Sequence, residues 1–196
     1  MTTTRDRLLD EAEALFARTG VAAVTTREIV EAAEQRNTSA VSYHFGSREG
    51  LLRAILVRRG GPIDHQRGAM RDELGEQPSL RDLVACLVVP YAAALADPGG
   101  RSYLRIVAQL RGRFAAWRVE SDATTTKGLA RILDEIELRP DASAALRRER
   151  VVALIMVMTG TIAERARTID EGLEPELSHD QFVANLVDMC TALMGA

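Results

Sequence analysis

TTREIVEAAEQRNTSAVSYHFGSREGLL, residues 25–52, is the stretch on which the fold turns. Thr25 and Glu28 have the Thr-x-x-Glu spacing of a capping box. Val24 and Ile29 flank it as a hydrophobic staple, so a helix is predicted to begin here. Its apolar face is Ile29, Val30, Ala32 and Ala33, and the small alanines let another helix cross closely. The polar joint EQRNTS follows, with Asn37, Thr38 and Ser39 all suited to capping. A short helix is predicted over Ser39–Phe45. A helix of about two turns is not stable alone. It has to be held by packing through Val41 and Phe45, which leaves Thr38, Ser42, Tyr43 and His44 outside. Gly46 ends it, and Ser47 caps a further helix with the stripe Leu51, Leu52, Ile55 and Leu56. Two short helices about a polar joint predict a DNA-binding helix-turn-helix, whose second helix enters the major groove.

Upstream, Leu8, Leu9, Ala12, Leu15 and Phe16 form one stripe, which predicts a helix over residues 5–19. Thr4 is its expected cap, and Gly20 is expected to end it in the αL conformation. Downstream, Gly60-Gly61-Pro62 is expected to break the helix. The reader is therefore placed at residues 1–60 and a body at residues 61–196. The body reads as helices throughout, near 63–74, 80–96, 101–118, 123–138, 143–169 and 179–194, with a turn at 97–100. Pro90 lies inside the second of these and is expected to kink it. Ser178 and Gln181 form another capping box. The segment VVALIMVM, residues 151–158, is apolar all round and has to be buried on more than one side. An all-α fold is predicted, with no strand.

Composition narrows the function classes. Apolar residues make up 46% and charged residues 27%, a globular balance and not a disordered one. No run reaches the roughly 18 apolar residues of a membrane span. The N-terminus carries acids and no apolar core, so a cytoplasmic location is expected. Net charge is −3. Residues 1–60 carry nine Arg against eight acids, and the remainder 16 Lys+Arg against 20 acids, so the reader is the more basic part. Cys86 and Cys190 lie in apolar helical patterns and read as buried, reduced thiols. Three scattered histidines and two cysteines make a zinc site improbable, and no cofactor is expected. HExxH, GxSxG, a glycine-rich phosphate loop and CxxC are all missing from the sequence, so an enzyme is not expected.

Residues 5–56 resemble the N-terminal domain of the TetR family of transcriptional regulators. The resemblance is carried by RDRLLDEAEALFARTGVAAVTTREIVEAA and YHFGSREGLL. It implies that the first three helices read DNA, that the fourth links them to an all-helical body, and that this body binds a small ligand. It implies also that the last two helices form a four-helix bundle with a second copy. There are two departures. Where the family usually has Ala-Gly-hydrophobic-Ser after the second helix, Ala33 is followed here by Glu34, Gln35 and Arg36, with one extra residue before His44-Phe45. The position commonly held by Tyr is Ser42, and Tyr43 directly precedes His44.

On this resemblance, phosphate contacts are expected from Thr26, Arg27, Tyr43, His44 and Arg48. Base contacts are expected from among Arg36, Asn37, Thr38, Ser39 and Ser42. For Asn37 a helix-capping role and for His44 a packing role inside the domain stand beside these. Candidate ligand contacts are Leu87, Tyr91, Tyr103, Val107, Phe114, Trp117 and Met156, each of which could equally be plain core. The expected partners are an operator in double-stranded DNA, a small-molecule effector and a second copy of the chain, with no membrane partner. The expected activity is that of a repressor released from its operator by the effector. The alternatives are an activator, or a helical protein–protein interaction module.

Overall fold

The computed structural model describes residues 3–37, 39–110 and 126–195. Among them are nine α-helices and no strand. In chain order they are α1 (Thr4–Thr19), α2 (Thr26–Ala32), α3 (Ala40–Phe45), α4 (Arg48–Glu73), α5 (Leu80–Ala93), α6 (Pro98–Leu110), α7 (Lys127–Glu137), α8 (Ala144–Asp170) and α9 (His179–Gly195). A short 3₁₀ turn, Ala94–Ala96, follows α5.

Local chemistry sets most helix starts. Thr3, one residue before the expected cap, accepts from the Asp6 amide, and Asp6 accepts in return from the Thr3 amide. Thr25 and Glu28 close the expected box, with the Thr25 amide donating to Glu28 at 2.7 Å. Ser79 with Asp82, and Ser178 with Gln181, do the same at α5 and α9. Gly20 ends α1 at φ 110 and ψ 138, a positive φ outside the αL region. The expected turn at 97–100 is instead the start of α6: Pro98 is its first residue, where no N–H is needed, and Asp97 accepts from the Gly100 amide.

Two apolar cores lie along α4. The first gathers Leu8, Leu9 and Phe16 of α1, Ile29 and Val30 of α2, Val41 of α3, and Leu51 and Ile55 of α4. Ile106 of α6 completes it, fully buried. The second core fills the body from Ile63 through α5, α7, α8 and α9, and Leu56 packs against both.

The Gly-Gly-Pro break does not occur, because α4 runs unbroken from Arg48 to Glu73. Pro62 is on the exposed side, so its ring meets solvent and one backbone bond is given up. Packing on either side outweighs that loss. Arg58 and Arg59 both pair with Glu13 of α1, which is only 2% exposed. Beyond the proline, Asp64 accepts from the Gly128 and Leu129 amides at 2.9 and 2.7 Å, where α7 begins. The two helices approach so closely there that a Cβ on Gly128 would lie 2.6 Å from the Asp64 carbonyl oxygen.

Candidate DNA-reading face and body cavity

The joint between α2 and α3 is built from side chains of opposite character. Glu34, where the family pattern has glycine, sits at φ 54 in the left-handed region. The Glu34 amide donates to the Glu31 carbonyl and the Gln35 amide to the Val30 carbonyl at 2.9 Å. That is a Schellman ending, and it normally calls for glycine. Asn37 then turns the chain: its Oδ1 accepts from the Ser39 amide at 3.0 Å and from the Ser39 hydroxyl at 2.8 Å. Its side chain therefore acts as an Asx-turn cap for α3. Thr38 lies outside the described residues.

The outer face of this unit carries Arg36, Asn37, Ser39, Ser42 and Tyr43, all exposed, with Tyr43 at 84%. The Tyr43 ring stands edge-on to His44 at 4.9 Å, and His44 leans on Phe45 at 6.2 Å. His44 is half-buried, in keeping with a partly internal role. Thr26 is half-buried at the start of α2, and Arg27 is exposed but paired with Glu31 at 2.7 Å.

Arg48 has partners beyond its sequence expectation. Its Nε donates to the Val24 carbonyl at 3.0 Å and its Nη2 to the Val21 carbonyl. The guanidinium also lies over the Phe16 ring, 5.0 Å from its centre. These donors brace the loop before α2, a role beside the phosphate contact expected of Arg48. Gly50, in the same motif, is needed for space. A Cβ there would stand 2.0 Å from the Phe45 carbonyl oxygen. One cation that sequence reasoning missed, Arg5, lies over the Phe45 ring at 5.1 Å, next to the end of α3.

In the body, a cavity of about 50 Å³ lies between α4, α5, α6, α7 and α8. Of the ligand candidates, Tyr91, Tyr103 and Val107 line it. Leu87 does not: it is fully buried core. Met156 is also absent from the lining, because it faces outward at 48% exposure. Phe114 and Trp117 lie outside the described residues. The sequence reading missed Arg67, Ile155, Met158 and Thr159, which complete much of the wall. Arg67 left no trace in the sequence, since an arginine on an amphipathic helix normally reads as solvated.

Helix α6 joins the two regions. Tyr103 and Val107 face the cavity, while Ile106 is in the reader core. From the same helix Gln109 accepts from the Val21 amide at 2.7 Å and donates to the Phe16 carbonyl at 3.1 Å. The Tyr103 hydroxyl lies against Gly60 of α4.

Capped short helices in a helix-turn-helix, carried on an all-helical body, define a DNA-binding regulator by class. Residues 8–55 match the family model described as bacterial regulatory proteins, tetR family. Over these residues the chain is similar to the TetR family of transcriptional regulators. The match covers the reader and the start of α4; the body is aligned by structure alone. NalD of Pseudomonas aeruginosa, the secondary repressor of the MexAB-OprM multidrug efflux pump, superposes with a TM-score of 0.63 at 20% identity, over 96% of this chain and 94% of that one. AmtR of Mycobacterium smegmatis superposes with a TM-score of 0.58 at 21% identity, over 99% of this chain and 87% of that one. At such identities the likeness shows a shared fold. No curated protein sequence matches the chain. Among the described residues no helix is long and apolar enough to cross a membrane.

Proposed function

We propose that this regulator works as a homodimeric repressor that leaves its operator when a small molecule enters the body cavity. The observation that carries this reading is the double duty of α6, which walls the cavity with Tyr103 and Val107 and reaches the reader through Ile106 and Gln109. A ligand that bound better to one placement of α6 would bias the placement of the reader by that difference in affinity. A reader domain of residues 1–60 and a body of residues 61–196, with α4 crossing between them, fit this division of labour.

Residues proposed to meet DNA are Arg36, Ser39, Ser42 and Tyr43, with Thr26 and Arg27 toward phosphate. Asn37 and His44 serve mainly to shape the unit. Dimerisation is supported by the outer face of α8 and α9, where Leu146, Val152, Met156 and Met189 are each at least 40% exposed. A two-fold bundle buries such a face against its own copy. A protein acting on chromosomal DNA is expected in the cytoplasm.

Selection of bound sequences from random DNA tests the reading. Recovery of a two-fold-symmetric site is expected, with half-sites about one helical turn apart, roughly 34–36 Å. Light scattering should give a dimer at micromolar concentration. A monomer, or selection that enriches no site, overturns the proposal.

A further inference from the structure

Arg67 is the unusual residue of the cavity. It is 6% exposed, yet no carboxylate pairs with it among the described residues. Its protein partners are the Leu87 carbonyl, at 3.4 Å from Nε and 3.1 Å from Nη2, and the face of Tyr91, 5.5 Å from the guanidinium carbon. Asp64, one turn earlier on α4, is spent on the amides at the start of α7. The contrast with Arg71 is direct: one turn further on, it is buried too, but Glu135 meets it at 2.8 Å. Taking a cation out of water without a counter-charge is costly. A second polar group points the same way. The Tyr91 hydroxyl is buried without a hydrogen-bond partner among the described residues, and it lines the same cavity. Most other lining groups are apolar, including Val107, Leu129, Ile155 and Met158.

We propose that the cavity binds a monocarboxylate with a short apolar body, its carboxylate held by the Arg67 guanidinium and the Tyr91 hydroxyl. A guanidinium matches a planar carboxylate with two parallel N–H donors. One buried cation balances one negative charge, which disfavours phosphate monoesters with their second charge. The cavity, at about 50 Å³, has room for a few waters at roughly 10–15 Å³ each, so a small acid fits better than a long one. That such an acid also acts as the effector rests on the release reading above.

The test uses the full chain, with acetate and propionate as probes and acetamide and propionamide as neutral controls, followed by calorimetry and by displacement from the selected operator. The acids should bind at least tenfold more tightly than their amides. Arg67→Met should lower acid affinity at least tenfold while keeping operator binding, and Tyr91→Phe should lower it several-fold. The phenylalanine variant keeps the test valid if the methionine one fails to fold. The proposal is overturned if neither acid binds, if acid and amide bind equally, or if the variants retain full acid affinity. Acid binding without operator displacement supports this site and instead overturns the release reading. Displacement by the amides alone overturns the carboxylate and leaves release standing.

Discussion

The reader core and the cavity wall of the body bury polar groups differently. In the reader the most buried charge and its neighbours are paired. Glu13 meets Arg58 and Arg59, and Arg48 meets the Val21 and Val24 carbonyls. In the body, among the described residues, Arg67 faces the cavity with a carbonyl but no carboxylate to meet it, and the Tyr91 hydroxyl faces it with no hydrogen-bond partner. The first arrangement fixes one geometry for a surface that must dock on DNA. The second leaves the polar capacity that the proposed acid would use.

Substitutions can break or sharpen this contrast. The largest effect is expected from Glu13→Ala, which removes the buried carboxylate shared by two arginines at the α1–α4 junction and leaves Arg58 with Asp10 and Arg59 with Asp97. Hydrogen bonds to a charged group typically contribute about 1.5–3 kcal/mol. Urea denaturation at fixed protein concentration should register it; a loss under about 1 kcal/mol, the scale of a surface pair, would show that the reader is not locked there. Arg67→Met should go the other way and leave stability unchanged or raise it, because a buried cation lacking a carboxylate is replaced by an apolar chain of similar length. A large destabilisation in the same denaturation assay would make Arg67 a structural residue. Glu34→Gly is expected to stabilise by about 1 kcal/mol, since a left-handed residue other than glycine carries a penalty of roughly that size. A fall in stability would mean the Glu34 side chain holds the joint, through its 3.9 Å approach to Arg7. The smallest change concerns the thiols. Burial pushes Cys190 up to about 11 and raises Cys86 too. At pH 8, below both, neither thiol is ionised appreciably, so labelling by an aromatic disulfide should be slow in the native protein and complete for two thiols per chain in urea.

These contrasts also mark what could be read from the sequence. Caps and stripes are local, so Thr25 with Glu28, Ser178 with Gln181, and the α1 stripe were all legible. Features fixed by partners far along the chain were not. Gly60-Gly61-Pro62 reads as a break, yet α4 continues because packing holds both of its ends. Arg48 lies beside Glu49 in sequence, and its partners are carbonyls at 21 and 24. Ile106 lies in a helix of the body and packs into the reader core. Met156 belongs to an apolar run, but the helix turns it outward. Arg67 could not be distinguished from a solvated arginine until α5 was laid against α4.

The central claim is that the exposed α3 face reads DNA. Its most direct test is the affinity of the dimer for its selected operator, wild type against Tyr43→Ala, by fluorescence anisotropy across a salt series. The account predicts wild-type binding that weakens steeply as salt rises, as phosphate contacts require. It predicts also that Tyr43→Ala binds at least tenfold more weakly with its folding unchanged, because Tyr43 is 84% exposed. Equal affinity of the two proteins at physiological salt, or binding indifferent to salt, would contradict it.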